Sequence, residues 1–304
     1  MNFSHFNIQN ELIYTSRQGV ALWLKREDLI HPLVSGNKFR KLKYNLEKAK
    51  MLGLDTLVTF GGAFSNHIAA VAAAGQLYNF KTVGIIRGEE LEENLENNPT
   101  LEFAKNARMT MKFVSRASYR EKTNDTFLMR LNNEFPNAYI IPEGGTNQLA
   151  VKGCEEILTE QDALFDIICC PVGTGGTISG LINSALPHQK ILGFPALKGD
   201  FLSSEISKFA QKQNWELISD YHFGGYAKIN VELVTFLNRY YRDFGIKFDP
   251  VYTAKMMYGI MDLIAKDYFK PNTQLLAIHT GGLQGLKGMN KKLNNKQLPL
   301  INFE

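Results

Sequence analysis

The sequence predicts an α/β fold built on parallel sheets and divided into two domains or forming one large one. Short β-rich runs alternate with longer helical stretches along the 304 residues, an order typical of strands connected through helices. Most of the runs are continuously apolar, as in strands that helices cover on both faces. Because 44% of the residues are hydrophobic, a chain of this length can bury a sizeable core.

Nine strands and six helices follow from these patterns. The predicted strands are Val20–Leu24, Thr56–Phe60, Thr82–Ile86, Thr110–Val114, Ala138–Ile141, Asp166–Cys170, Lys190–Phe194, Glu216–Ser219 and Gln274–Ile278. The predicted helices are Lys38–Leu52, Asn66–Tyr78, Asp125–Glu134, Asn147–Leu158, Ile178–Ala185 and Thr253–Lys266. No repeat, low-complexity tract or linker rich in Pro, Gly and Ser divides the chain.

Charge and composition argue against several classes of partner and site. A net charge of +4 gives no reason to expect nucleic-acid binding. The longest apolar run, Ile68–Gly75, is far shorter than the roughly 18 residues that cross a membrane. The amino terminus lacks the pattern of a secretory signal, so we expect a cytoplasmic protein. Cys154, Cys169 and Cys170 lack CxxC spacing and predict neither a disulfide framework nor a zinc site, and no metal is expected.

A glycine-rich loop lies between the predicted strand Asp166–Cys170 and the next helix. It consists of Gly173, Thr174, Gly175, Gly176 and Thr177. Glycines let the backbone approach a ligand and the helix end supplies free N–H donors, so the loop predicts a phosphate cup. Ile178 occupies the sixth position from Gly173, where the dinucleotide fingerprint requires glycine, and no Walker A lysine follows. A tight turn without a ligand is the alternative.

Two further glycine pairs also follow predicted strands. Gly61–Gly62 leads to Ser65, which is placed either to cap the next helix or to contact a ligand. Gly281–Gly282 follows Thr280 at the end of the last strand. Since ligands of open α/β sheets bind at the carboxyl ends of the strands, both pairs are candidates for the same site.

Lys38 lies one turn into a predicted helix, directly after a glycine turn at Gly36. Most lysines in such positions are solvated, but this chain also offers a phosphate cup and two polar strand ends. Pyridoxal 5′-phosphate (PLP) needs an amine for a Schiff base, a phosphate cup, and partners for its ring oxygen and ring nitrogen. We therefore predict PLP as the cofactor.

Six segments, taken together, resemble one known family. They are LKREDLIHPLVSGNKFRKL (Leu24–Leu42), TLVTFGGAFSNHIAAVAAAG (Thr56–Gly75), IPEGGTN (Ile141–Asn147), GTGGTISG (Gly173–Gly180), DPVYTAKMMYGIMDLI (Asp249–Ile264) and IHTGG (Ile278–Gly282). In this order they resemble the 1-aminocyclopropane-1-carboxylate (ACC) deaminase/D-cysteine desulfhydrase family. Its members are PLP enzymes of fold type II, similar to the tryptophan synthase β subunit, with open twisted parallel sheets in two domains.

The resemblance implies how the cofactor is held. Lys38 carries PLP covalently, Asn66 bonds the ring hydroxyl, and the Gly173–Thr177 loop holds the phosphate. Thr253 and Thr280 are the two candidates for the partner of the pyridine nitrogen.

The resemblance also implies the substrate site and the domain plan. Ser65, Asn66 and His67 surround the carboxylate of a small amino acid, and Tyr252 and Tyr226 face the cofactor as catalytic groups with Lys38 and Ser65. A small domain, residues 42–147, is inserted into a large PLP-binding domain formed by residues 1–41 and 148–304. Homodimers are usual in the family.

Two differences from typical ACC deaminase sequences favour D-cysteine as the substrate. ACC deaminases typically carry Glu directly after the tyrosine that corresponds to Tyr252, whereas this chain carries Thr253. They also typically carry Gln where this chain has His67. A hydroxyl stabilises a pyridinium less than a carboxylate does, and a thiolate leaving group requires a weaker electron sink than ring opening does. The alternatives are ACC deamination, a PLP-dependent racemase or dehydratase, and a binding protein without turnover.

Overall fold

The computed structural model describes residues 8–93 and 95–303, which form ten strands and eleven α-helices. The strands are β1 (Asn10–Thr15), β2 (Ala21–Lys25), β3 (Thr56–Gly61), β4 (Lys81–Arg87), β5 (Thr110–Val114), β6 (Ala138–Ile141), β7 (Ile167–Val172), β8 (Lys190–Pro195), β9 (Trp215–Leu217) and β10 (Gln274–Ile278). The helices are α1 (Asn37–Met51), α2 (Asn66–Tyr78), α3 (Pro99–Asn106), α4 (Arg116–Arg120), α5 (Asp125–Glu134), α6 (Gln148–Glu155), α7 (Gly176–Ser184), α8 (Phe201–Ser207), α9 (Val231–Phe244), α10 (Thr253–Ala265) and α11 (Leu286–Asn295). The first seven residues, on which the expected absence of a secretory signal depends, lie outside the described ranges.

The larger of two sheets has six strands in the order β1-β2-β10-β7-β8-β9. All neighbouring pairs are parallel except β1 and β2, which are antiparallel. Residues Ile168–Val172 of β7 are all buried, which agrees with the continuous apolar run in the sequence. The α/β class and the parallel sheets predicted from the sequence are confirmed.

The smaller sheet has four parallel strands in the order β5-β4-β3-β6. All four come from residues 56–141, between β2 and β7 of the larger sheet. Helix α1 crosses the expected boundary at residue 42 and packs against α6, so the division at 42 and 148 stays a prediction.

Apolar helices and paired charges complete the interior. Residues His67–Gly75 of α2 are all buried, which explains the alanine-rich composition of that helix. Two buried ion pairs, Lys25 with Asp162 at 2.7 Å and Arg40 with Glu27 at 2.8 Å, tie β2 and α1 to their surroundings. Removing one partner of such a pair would leave a buried charge without compensation.

All nine predicted strands are present, with ends that shift by at most two residues, and the six helices shift by at most three. The sequence reading missed β1, α3, α4, α8, α9 and α11. Strand β1 is a partly exposed edge strand without an apolar run. Helix α9 should have been found, because Leu233, Leu237 and Tyr240 form a buried stripe at helical spacing. No helix in the described ranges has both the length and the apolar character needed to cross a bilayer.

Candidate active site

A cleft of about 1440 Å³ lies at the carboxyl ends of strands from both sheets. Its lining includes residues that end or follow β3, β4, β6, β7 and β10, namely Gly62, Arg87, Pro142, Val172 and Thr280. Parallel strands bring their carboxyl ends to one edge, and ligands bind there in open α/β sheets. Every predicted site residue lines the cleft except Gly176 and Thr253.

Lys38 occupies the first turn of α1 at the floor of the cleft. The turn before it depends on Gly36, which has a φ of +60° and lies so close to Thr280 that a Cβ would be 1.9 Å from that carbonyl oxygen. Lys38 Nζ donates to Asn37 Oδ1 at 3.1 Å, and Asn37 Nδ2 donates to Thr177 Oγ1 at 2.8 Å. This chain of bonds connects the lysine to the glycine-rich loop.

The surroundings of Lys38 favour its neutral amine. Burial, and secondarily the nearby Lys41 ammonium, lower the pKa of Lys38 from 10.5 to about 7. A lysine with this pKa is largely unprotonated above neutral pH and is therefore nucleophilic.

We expect Lys38 to react as an amine at unusually low pH. Acetic anhydride labels only neutral amines, so in the apoprotein the labelling of Lys38 should reach half its maximum near pH 7. Peptide mass mapping across pH 5–11 measures this directly. In a Lys41→Met variant, loss of the like charge should move the midpoint upward. Labelling that begins only near pH 10 in both proteins would contradict the lowered pKa.

The glycine-rich loop joins β7 to α7 and is held close to its neighbours. Gly175 has a φ of +85° and caps α7, a conformation that favours glycine. A Cβ on Gly173 would lie 3.0 Å from the Tyr252 ring, and one on Gly176 would lie 2.8 Å from Thr146 Oγ1. Side chains at these positions would fill the space at the start of the helix.

Lys41, which the sequence reading missed, is a buried lysine beside this loop, and burial lowers its pKa. Its ammonium donates to Gly144 O and Thr146 Oγ1, both at 3.0 Å, and contacts Thr174 Oγ1 at 3.5 Å. The residue is only 3% exposed, and no carboxylate within the described residues forms an ion pair with it. The signal was available, because Lys41 stands three residues after Lys38 and therefore on the same face of α1.

Ser65 and Asn66 lie at the start of α2. Ser65 Oγ accepts from Ile68 N at 3.3 Å, so it caps the helix and lines the cleft at the same time. Asn66 Oδ1 is buried and has no hydrogen-bond partner among the residues that the structure describes. The Asn66 amide also packs against Gly282, where a Cβ would lie 2.6 Å from Asn66 Nδ2. A ligand with a polar edge can satisfy this group.

The hydrogen bonds of His67 determine its tautomer. Thr59 Oγ1 donates its single proton to Ile141 O at 3.0 Å and so accepts from His67 Nε2–H at 2.8 Å. His67 Nδ1 then carries a lone pair, and this buried atom has no partner within the described ranges. Burial lowers the pKa of His67 well below its ordinary value, so the ring is neutral. His67 therefore lines the cleft as a neutral ring with an acceptor at Nδ1.

Tyr252 and Tyr226 both line the cleft, and their rings contact each other edge to face with centroids 6.2 Å apart. Burial raises the pKa of Tyr252 well above 10, so its phenol keeps its proton. The loop that carries Tyr226 contains Phe223 and Ala227 with positive φ values of 52° and 53°. Lys255, a second residue that the sequence reading missed, fastens this loop by donating to the carbonyls of residues 222 and 225 at 2.8 Å each.

The structure separates the two threonines that were candidates for the pyridine nitrogen. Thr253 is fully buried outside the cleft lining, and its hydroxyl donates to Asp249 Oδ2 at 2.8 Å. The same carboxylate accepts from the Thr253 backbone N–H at 2.8 Å and secures the start of α10. Of the two candidates, only Thr280 lines the cleft.

The cleft fits PLP in three respects. A phosphate would favour the charged form of Lys41, with which no described carboxylate pairs, next to free N–H groups at the start of α7. Asn66 Oδ1, which has no partner among the described residues, can bond a ring substituent, and the neutral Lys38 amine can attach to an aldehyde.

Comparisons with known proteins agree with this fit. A Thermotoga maritima relative is 32% identical over 302 residues, covering 92% of this chain and 94% of its own. A mitochondrial protein of Arabidopsis thaliana, named bifunctional D-cysteine desulfhydrase/1-aminocyclopropane-1-carboxylate deaminase, is 30% identical over 88% of this chain and 74% of its own. A crystal structure described as an ACC deaminase homologue superposes with a TM-score of 0.83 at 27% identity, covering 96% of this chain and 94% of that one.

The match to a family confirms the cofactor that was predicted from the sequence. The profile described as "Pyridoxal-phosphate dependent enzyme" matches residues 9–281, which include the lysine, the glycine-rich loop and both tyrosines. The resemblance to the ACC deaminase and D-cysteine desulfhydrase group is likewise confirmed by the names of its relatives. The chain belongs to the family of pyridoxal-phosphate dependent enzymes.

Proposed function

We propose that this enzyme is a lyase that converts D-cysteine and water to pyruvate, sulfide and ammonia. The observation that carries the proposal is the neutral character of the group available to the pyridine nitrogen, the Thr280 hydroxyl. Among the described residues, no carboxylate hydrogen-bonds Thr280, and Thr253 is engaged elsewhere with Asp249. Relatives named for D-cysteine desulfhydration and for ACC deamination are both similar to this chain.

A neutral partner at the ring nitrogen favours a substrate with a good leaving group. A hydrogen bond from a pyridinium to a carboxylate is about twice as strong as one between neutral groups, so a hydroxyl supports a weaker electron sink. ACC has no hydrogen on Cα and requires its ring to be opened. D-Cysteine can lose its Cα proton, and thiolate leaves readily from Cβ. Elimination is therefore the less demanding reaction for this cleft.

The protonation states of two residues suggest their roles. When bound, PLP supplies the electron sink for charge that develops at the substrate Cα. The Lys38 amine, with its pKa near 7, accepts the Cα proton. Tyr252 retains its proton because its pKa is raised well above 10, so it serves as a donor to the departing sulfur rather than as a base. Each positioned acid or base contributes typically about 10²–10⁴ in rate.

The remaining residues orient the substrate and the cofactor. The Ser65 hydroxyl and the first free N–H groups of α2 bind the substrate carboxylate. The lone pair on His67 Nδ1 suits a donor such as an amine or thiol, and it would repel a carboxylate. This differs from the role that the resemblance implied for His67. Asn66 would bond the ring hydroxyl of the cofactor, and Lys41 would join the glycine-rich loop in holding its phosphate.

The proposal is tested by a product assay on the purified holoenzyme. Sulfide and pyruvate should form from D-cysteine, with much slower formation of 2-oxobutyrate from ACC. L-Cysteine is the matched control for chirality. Faster turnover of ACC would assign the alternative function of ACC deaminase. Exchange of the Cα proton of an amino acid without release of sulfide, pyruvate or ammonia would point to a racemase.

We expect Tyr252→Phe to lower kcat by about 10²-fold or more while PLP loading is unchanged. The ring keeps its place against Gly173, but the proton donor is lost. A loss confined to kcat marks an interaction made in the transition state. Single-turnover absorbance measurements and the thermal midpoint separate this role from simple packing.

The control for Tyr252→Phe is Tyr221→Phe, which removes a phenol that bonds Asp262 at 2.7 Å outside the cleft. That change should cost roughly 1 kcal/mol of stability and leave kcat within about twofold. If Tyr252→Phe behaves like this control, Tyr252 takes no part in the reaction.

A further inference from the structure

Arg87 borders the cleft and has no acidic partner in the part of the chain that the structure describes. It ends β4, lines the cleft, and holds its guanidinium carbon 5.8 Å from the centroid of the Tyr119 ring. Within residues 8–93 and 95–303, no carboxylate forms an ion pair with it. Since the guanidinium is permanently charged and presents a planar fork of donors, it is suited to bind an oxyanion from a ligand.

Two other basic side chains that line the cleft already form ion pairs with carboxylates. Arg116 pairs with Glu90 at 2.6 Å, and Lys122 pairs with Glu143 at 3.2 Å. Glu143 also accepts from the Tyr119 hydroxyl at 2.7 Å. These contacts engage Glu90 and Glu143, and no ion pair within the described residues includes the exposed Arg87 guanidinium.

Arg87 also lies beside the loop that positions Ser65. A Cβ on Gly62 would be 3.4 Å from Arg87 Nη2, and a Cβ on Gly61 would be 2.7 Å from Ser65 Oγ. Because these glycines have no side chains, the guanidinium borders the same space as the serine. The cleft volume of about 1440 Å³ exceeds the roughly 300–1,000 Å³ typical of small-molecule sites, so it has room for more than PLP and cysteine.

We propose that Arg87 binds an oxyanion at the end of the substrate side chain, so that the enzyme prefers amino acids whose β-substituent is anionic. This inference rests on the proposed β-elimination. With a phosphate ester as the example, the Cα–H and Cβ–O bonds break, a Cα=Cβ bond forms, and phosphate leaves with the electron pair of the C–O bond. Water then hydrolyses the released 2-aminoacrylate to pyruvate and ammonia. No oxidant or reductant is needed.

The experiment compares O-phosphoserine with serine, which differ only in the phosphate, in both D and L forms. Stopped-flow absorbance of the holoenzyme gives an apparent dissociation constant for each amino acid before turnover, and pyruvate formation reports elimination. The wild type should bind O-phosphoserine about 10–100-fold more tightly than serine. Arg87→Gln should remove this preference while leaving serine affinity within about threefold.

The matched control is Arg116→Gln. Arg116 also lines the cleft, but Glu90 already neutralises its charge. This variant should preserve the preference for O-phosphoserine. The inference is overturned if the wild type shows no preference, or if Arg87→Gln retains it or weakens serine equally. If D-cysteine is eliminated but no preference exists, only this inference fails. If the preference depends on Arg87 but no amino acid yields pyruvate, the proposed elimination fails and the anion site stands.

Discussion

Replacing Lys38 by alanine is expected to abolish covalent attachment of PLP and all turnover. Lys38 has a pKa lowered to about 7 and projects into the cleft. Lys41, three residues later, is bound to three oxygen atoms of the small-sheet and glycine-rich loops and is not free to replace it. PLP should still bind without covalent attachment, because the phosphate cup and Asn66 remain.

Borohydride reduction followed by peptide mapping measures this attachment directly. In the wild type, the pyridoxyl group should be found on the peptide that contains Lys38. Lys43→Ala provides the control, since Lys43 lies on the same helix but pairs with Glu156 at 2.7 Å away from the cleft lining. That variant should keep full labelling. A pyridoxyl group on Lys41 or Lys255 would contradict the assignment.

Replacing Gly176 by alanine is expected to raise the dissociation constant of PLP by about 10–100-fold. The new Cβ would lie 2.8 Å from Thr146 Oγ1 and 3.1 Å from Lys41 Nζ. Both side chains must then move, and the ammonium loses its position at the phosphate. Loss of one charge-assisted hydrogen bond costs about 1.5–3 kcal/mol, which corresponds to this range of affinity.

Titration of the apoprotein with PLP, followed by absorbance, measures the change. Gly62→Ala is the matched control, because its Cβ would meet only the Arg87 guanidinium at 3.4 Å, an ordinary contact with a flexible side chain. Its affinity for PLP should remain within about twofold of the wild type. Unchanged affinity in Gly176→Ala would place the phosphate elsewhere.

Local sequence patterns were sufficient to predict a strand or a loop when all the residues that form the pattern lie in one segment. The continuous apolar runs predicted the strands of both sheets, because strands covered on two faces bury every residue. The glycines at 173, 175 and 176 predicted a close approach of backbone and ligand for a reason that depends only on the absence of a Cβ. The edge strand β1 was not predicted, because its partly exposed residues form no continuous apolar run.

Contacts between segments that are distant in the sequence could be identified only in the structure. Thr253 and Thr280 were equal candidates in the sequence, and only the bond from Thr253 to Asp249 separates them. Lys41 reads as an ordinary helix lysine until its ammonium is seen to meet the loops at Gly144 and Thr174. The acceptor role of His67 depends on Thr59 and on Ile141, which lies 82 residues from Thr59.

The sequence by itself determined the α/β fold, the family and the cofactor, and it supplied candidates for the site residues. These features depend on residue type and on spacing along the chain. Only the tertiary structure decided which of those side chains line the cleft, which are neutral, and which remain unpaired. Burial and the proximity of charges set the pKa values of Lys38 and Tyr252, and both arise from residues brought together by folding. The structure was likewise needed to find that Arg116 and Lys122 pair with carboxylates, whereas Arg87 pairs with none among the described residues.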